Sequence, residues 1–362
     1  MARALVLEGP RTLRLRDEEV PRLHARDVRV RAVASGISHG TELNLYRGTS
    51  GFADFVFDPV LRAFVRPDSA RSPYPAPLGY EMVGVVEEIG SEVGELGVGD
   101  LVHAGTPHRE ETVLDVDAAA KASYPLVRLP AGEPPEHALF VSLGAVALVA
   151  LHDALLKLGD HVAVFGLGAI GLLLVQMARL AGAGRVTAVE PVASRRALGT
   201  ELGADEVLDP REAEDGVGAA VKRSGGRGVD VAIETSGQIA GLHGAIAATA
   251  LGGKVVTVGF YQGGAPELRL GEEWHHNRLD MVSSMGAWGA PHRAHPAWDR
   301  ERVMRTVVDL LASGRVRVDS LPVRQFPFEQ AVEAYRWLDA NPNEAVKVAL
   351  TYEGGNQSGG EQ

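Results

Sequence analysis

The chain has 362 residues, of which 45% are hydrophobic and 23% charged, with a formal net charge of −11 and no cysteine. This is the composition of a globular protein too long for one core, so two domains are expected, one of them assembled from separated stretches. The acidic balance, with no Lys/Arg run carrying interleaved aromatics, argues against a nucleic-acid partner, and the missing cysteines exclude disulfides, thiolate nucleophiles and any zinc site with a Cys ligand.

The opening stretch, Met1 to Val20, alternates apolar and polar residues and lacks the apolar core of a secretory signal. No uncharged run approaches the roughly 20 residues of a membrane span. A cytoplasmic protein with no membrane partner is therefore expected. From Ala2 to about Val141, short β-prone runs such as Val28–Ala34, Val83–Ile89 and Leu101–His103 are broken by Gly, Pro and Asp, which predicts a twisted barrel or sandwich. Ala138–Leu158 then reads as one buried helix joining two domains.

From His161 onward strand-like and helix-like segments alternate. Strands are predicted at Val162–Phe165, Val186–Val189, Glu206–Leu208, Val229–Ile233, Val255–Val258 and Leu279–Ser283. That rhythm is α/β, a doubly wound parallel sheet. Helices Arg300–Ser313 and Phe328–Leu338 and a strand at Ala345–Tyr352 read as a return to the first domain. The expected division is 1–145, 146–287 and 288–362, with a flexible tail from Glu353.

The sharpest signal is Gly166-Leu-Gly168-Ala169-Ile170-Gly171, which leaves a strand and opens a helix. The first glycine permits a tight turn, the second a close approach of a pyrophosphate, and the third helix packing on the sheet; free N–H groups and the helix dipole then face the anion. Glu190 ends the next strand, 19 residues after Gly171. An acid there accepts hydrogen bonds from the adenosine ribose and repels a 2′-phosphate, so NAD is expected as the cofactor. Arg195 and Arg196, close by, are the residues that would instead meet a phosphate.

Taken over nearly its whole length, the chain resembles the medium-chain dehydrogenase/reductase (alcohol dehydrogenase-like) family. The front carries motifs of the family in Gly36-Ile-Ser-His-Gly-Thr-Glu-Leu43, Pro77-Leu-Gly-Tyr-Glu-Met-Val-Gly84 and Gly97-Val-Gly-Asp100. The resemblance implies a GroES-like β-rich catalytic domain plus a Rossmann domain, an active site in the cleft between them, and a homodimer or homotetramer. It also places Ser236, Val258 and Gly259 near the cofactor and Lys347 where a basic residue reaches the pyrophosphate. The positions of the family's catalytic zinc ligands look like Ser38, Tyr80 and Val141, none a good ligand, so no metal is expected.

Without a metal, a positioned side chain must take the alcohol proton during hydride transfer. The candidates are Thr41, which matches the hydroxyl of the family's relay, Tyr80, His39, Ser38 and Glu81. An unperturbed histidine titrates near 6.5, whereas a tyrosine near 10 serves mainly as a donor to the carbonyl. Glu42 and Glu81 also read as orienting or structural carboxylates, Thr41 as a helix cap, and His108 as a further candidate. Between the motifs, Tyr46, Phe52, Phe55, Phe57, Phe64 and Tyr74 suggest either a wall over a partly apolar small-molecule substrate or a local mini-core. The leading expectation is a zinc-independent, NAD-dependent dehydrogenase of a secondary alcohol or polyol. An NADPH-dependent quinone or enoyl reductase, and an inactive NAD(H)-binding sensor, are the competing readings.

Overall fold

Period-two patterning at the front becomes sheet. In the computed structural model, which describes residues 1–49, 55–66, 72–261, 263–286 and 297–353, β1 (Ala2–Gly9) and β2 (Thr12–Glu18) form an antiparallel hairpin, followed by β3 (Asp27–Ile37). On β3, Val28, Val30 and Ala32 are fully buried, while Arg29 and Arg31 reach outward to Glu88, Glu111 and Glu87. One face is thus core and the other a set of cross-strand ion pairs. After the helix Thr41–Arg47 come β4 (Val56–Asp58) and β5 (Ala63–Val65), which pair with each other, and β6 (Ala76–Pro77), which joins β1. Then follow β7 (Met82–Ile89), β8 (Leu101–Ala104), β9 (Glu111–Asp115) and β10 (Val127–Arg128).

The second half opens with the helix Val141–Ala154 and alternates strand and helix: β11 (His161–Phe165), β12 (Arg185–Val189), β13 (Glu206–Leu208), β14 (Val229–Glu234), β15 (Thr249–Thr257) and β16 (Asp280–Ser283). These six lie in the order β13-β12-β11-β14-β15-β16, every pair parallel. Val162, Ala163, Val164 and Phe165 are all buried, as expected for a central parallel strand covered on both faces. The order reverses between β11 and β14, so the loops after these two strands flank the switch point at which such sheets bind ligands. Finally β17 (Val323–Pro327) and β18 (Lys347–Thr351) extend the front sheet to β10-β8-β7-β3-β18-β17, with β9 also on β3.

Two compact units result, Met1–Leu139 with Val323–Gln362, and Phe140–Pro322. This corrects the expected boundaries at 145 and 288. The long helix divides into Pro135–Ala138 and Val141–Ala154, and the latter belongs wholly to the second unit. The helix Arg300–Ala312, capped by Asp299 through the Arg302 N–H, packs on it: a Cβ at Gly144 would stand 2.5 Å from Cγ1 of Val307. That close helix contact ties residues 300–312 to the second unit, and the return begins only at Val323. Among the described residues no helix is long and apolar enough to cross a membrane.

Candidate functional site

In the second unit, each glycine of the turn has a distinct physical reason to be there. Gly166 has φ +91°, and a Cβ on it would lie 2.9 Å from the Ser236 backbone N. Gly171 has no room at all, since a Cβ would fall 1.9 Å from the Gly166 carbonyl. Gly168 is the opposite case: nothing lies within 4 Å of its Cβ position, and as N-cap of the helix Ala169–Leu180 it offers no side-chain cap. Gly168, Ala169 and Ile170 therefore leave an approachable, positively polarised helix start, which fits a pyrophosphate.

Glu190, the first residue after β12, is almost fully buried; its Oε2 accepts the Leu167 N–H at 2.7 Å and its Oε1 the Val192 N–H at 2.9 Å. The first of these bonds ties the acid to the glycine turn itself. Each carboxylate oxygen keeps a second lone pair, enough to receive ribose hydroxyls. Arg195 is half-buried beside it, and desolvation lowers its pKa against the pull of the Glu190 charge.

Ser236 stands in the loop after β14, against the Gly166 turn, yet its polar atoms are already engaged. Its N–H, at 2.7 Å, and its hydroxyl both donate to Glu234, and its Oγ accepts the Gln238 N–H at 3.1 Å. Val258 and Gly259 follow β15 and donate their N–H groups to the Glu234 carbonyl at 2.8 and 3.1 Å. Thr235, absent from the expected set, donates its hydroxyl to the Gly166 carbonyl at 2.8 Å.

In the first unit, β3 runs into the turn Ser38-His39-Gly40 and the helix Thr41–Arg47. Thr41 is exposed and is not the cap; that position is Gly40, with no side-chain bond. His39 is half-buried. Ser38 is buried, its N–H bonded to Glu42 Oε1 at 2.8 Å and its hydroxyl to Tyr80. Glu42 is the hub of a buried network. Its Oε2 receives the Tyr335 hydroxyl and faces His108 Nε2 at 3.0 Å, while His108 Nδ1 meets Ser35 Oγ at 2.7 Å and Ser35 meets the Tyr352 hydroxyl at 2.8 Å. These partners outweigh burial, which alone would raise it, and hold the Glu42 carboxyl below its usual pKa, His108 foremost.

Tyr80 stacks on Tyr124 with ring centroids 5.2 Å apart. Burial, aided by the charge of Glu81, pushes its pKa well above the ordinary phenol value, so Tyr80 is a neutral donor. Glu81 is fully buried; Lys347 Nζ bonds its Oε2, while its Oε1 has no hydrogen-bond partner. Burial outweighs the ammonium and raises the Glu81 pKa. Gly36 makes room for the pair, because a Cβ there would lie 2.5 Å from Glu81 Oε2 and 2.6 Å from Lys347 Cε.

Lys347 is 2% exposed at the start of β18, its amine bonded to Glu81 within the first unit. The donors also do not fit a catalytic zinc. The Ser38 hydroxyl is engaged by Tyr80, Tyr80 stays protonated, Val141 is apolar, and no group of three or more His, Asp or Glu converges among the described residues. Of the aromatic segment, Tyr46 packs on Tyr335 and Tyr74 donates to the Leu45 carbonyl at 3.0 Å, both as parts of the core. Phe57 and Phe64 pair across β4 and β5, Phe55 lies under Arg66, and Phe52 lies outside the described residues.

Comparison with known proteins agrees with this architecture. Residues 24–121 match the family pattern described as alcohol dehydrogenase GroES-like domain, and residues 169–300 that described as zinc-binding dehydrogenase. The chain is 32% identical over 355 residues to D-guloside 3-dehydrogenase of Escherichia coli (strain K12), covering 96% of this chain and 99% of that protein. It is 32% identical over 273 residues to (R,R)-butanediol dehydrogenase of Bacillus subtilis (strain 168), covering 70% and 76%. The crystal structure of 2R,3R-butanediol dehydrogenase from Bacillus subtilis superposes with a TM-score of 0.77 at 26% identity, over 97% of this chain and 99% of that one. With a GroES-like unit, a Rossmann unit carrying the glycine turn, and a relative matched end to end, the chain belongs to the medium-chain dehydrogenase/reductase family of alcohol dehydrogenase-like oxidoreductases.

Proposed function

We propose that this protein is an NAD-dependent, zinc-independent dehydrogenase that interconverts a secondary alcohol of a polyhydroxylated substrate and its ketone. The observation that carries the cofactor half is Glu190, fixed on the glycine turn by the Leu167 N–H and buried beside the helix start. Gly168, Ala169 and Ile170 would hold the pyrophosphate and Glu190 the ribose hydroxyls, where a 2′-phosphate would meet a fixed negative charge. The substrate class follows the relatives, whose names specify a D-guloside and a butanediol.

When bound, the nicotinamide exchanges a hydride with the substrate carbon. The oxygen of that carbon is handled by the protein. Tyr80, held neutral by burial, donates a hydrogen bond to the carbonyl oxygen, and Ser38 steadies the phenol. His39 takes the alcohol proton, with the exposed Thr41 hydroxyl as the link to it. Glu42 and Glu81 lie behind this turn as orienting carboxylates.

Titration of the protein with NADH and NADPH, followed by a panel of polyols and glycosides with the preferred cofactor, tests the reading. NADH should bind at least about tenfold more tightly, a difference of about 1.4 kcal/mol. Tighter NADPH would favour the quinone or enoyl reductase reading. Tight NADH binding with no turnover on any substrate would favour a sensor.

A further inference from the structure

The second unit holds a buried acid that the family motifs did not single out. Glu234, the last residue of β14, is fully buried, and its side chain receives four hydrogen bonds. Oε1 takes the Ser236 N–H at 2.7 Å and the Ser236 hydroxyl; Oε2 takes the Gly237 N–H at 3.2 Å and the Tyr261 hydroxyl. Burial raises the pKa of this acid, and the four partners, each able to donate, pull the other way by favouring the carboxylate and filling its acceptor sites.

The bonds join two different strand ends. Ser236 and Gly237 follow β14, whereas Tyr261 lies four residues past β15. The two loops also meet backbone to backbone: a Cβ on Gly259 would stand 2.5 Å from both N and Cα of Gly237 and 2.8 Å from Glu234 Oε2. A third loop joins them, because the Gly166 turn presses on Ser236 and accepts the Thr235 hydroxyl. The turns after β11, β14 and β15 therefore form one interlocked rim along the carboxyl ends of the sheet, with Glu234 at its centre. Sheets of this kind bind a dinucleotide across that edge in two halves, the adenosine on the side of Glu190 and the nicotinamide riboside on the side of β14 and β15.

We propose that Glu234 and Tyr261 form a positioning clamp that sets the rim for the nicotinamide half of the cofactor, without touching the adenosine half. This rests on the dinucleotide reading above. The mechanism is preorganisation. A rim already in its binding conformation spares the cofactor the cost of ordering two loops, and Tyr261 adds a side-chain bond to the backbone bonds by which Val258 and Gly259 already hold the Glu234 carbonyl.

The test uses the full chain and two probes, NADH and ADP-ribose, the second lacking the nicotinamide. Tyr261→Phe removes one hydroxyl and keeps the ring; Glu234→Gln sets an amide NH₂ against donors. In Tyr261→Phe the dissociation constant for NADH should rise about threefold to tenfold, the range expected of one such hydrogen bond, while that for ADP-ribose stays within about twofold. Glu234→Gln should widen the same split. An equal loss for both probes would mean a general structural role, and unchanged NADH binding in Tyr261→Phe would overturn the clamp even where Glu234→Gln fails to fold. Failure of the wild-type protein to bind either probe would instead overturn the dinucleotide reading.

Discussion

The glycine turn of the second unit and the polar interior of the first are both built from buried charges and close backbone contacts, but they are organised on different length scales. From Gly166 to Glu190 the glycine turn and its acid lie within 25 consecutive residues, and the carboxylate returns to the turn through the Leu167 N–H. In the first unit the partners are remote: Tyr335 reaches Glu42 across 293 positions and Lys347 reaches Glu81 across 266. A local site is constrained by backbone sterics, which glycine spacing records; a remote one is constrained by burial, which leaves only isolated polar residues in apolar runs.

Breaking the local site should have the largest effect. Gly171→Val places atoms inside the Gly166 carbonyl, which stands 1.9 Å from where even a Cβ would sit. We expect NADH binding to fall by at least about a hundredfold, equivalent to about 2.7 kcal/mol, as measured by fluorescence titration. Retention of wild-type affinity would show that the turn is not the cofactor seat.

The buried ion pair should come next. Lys347→Met leaves Glu81 fully buried with no cation, and removal of one partner of such a pair costs about 3–5 kcal/mol in urea unfolding. Restoring most of that loss with Glu81→Leu in the same chain would identify the uncompensated charge as the cause. A Lys347→Met protein as stable as wild type would mean that the pair carries no such load.

Glu42 sharpens the comparison through pH. Its carboxyl titrates lower in the folded protein than in the unfolded chain, chiefly because of His108. Its contribution is thus complete above the unfolded value near 4.3 and is lost as pH falls through the folded one. Glu42→Gln should reduce stability near neutrality by about 1–3 kcal/mol and flatten the decline below about pH 4. An unaltered acid limb in urea unfolding would contradict this. The smallest effect on stability belongs to Thr41→Ala, within about 0.5 kcal/mol because the residue is exposed and caps nothing, while turnover should fall about tenfold.

These contrasts explain what was legible. Strand and helix order from β11 to β16 followed from apolar runs between turn residues, because a parallel sheet buried on both faces leaves that mark in sequence. The domain borders were misplaced since Ala138–Leu151 is almost entirely apolar and hides its break at Leu139 and Phe140, and since the patterning of Arg300–Ala312 shows an apolar face without naming its partner, Gly144. Lys347 was placed by the family resemblance alone, and nothing in its strand names Glu81, its remote partner. Ser35, Tyr335 and Tyr352 carried no signal beyond being polar atoms in core elements. Glu234, one residue beyond the predicted strand Val229–Ile233, and its partner Tyr261 went unmarked for the same reason.

Turnover after metal removal tests the central claim most directly, namely that a dinucleotide-binding unit is joined in one chain to a unit whose own side chains manage the proton. Protein exhaustively treated with a chelator and assayed with NAD and its best polyol substrate should retain full activity, with no gain on adding Zn²⁺. Activity that disappears on chelation and returns with zinc would contradict the account.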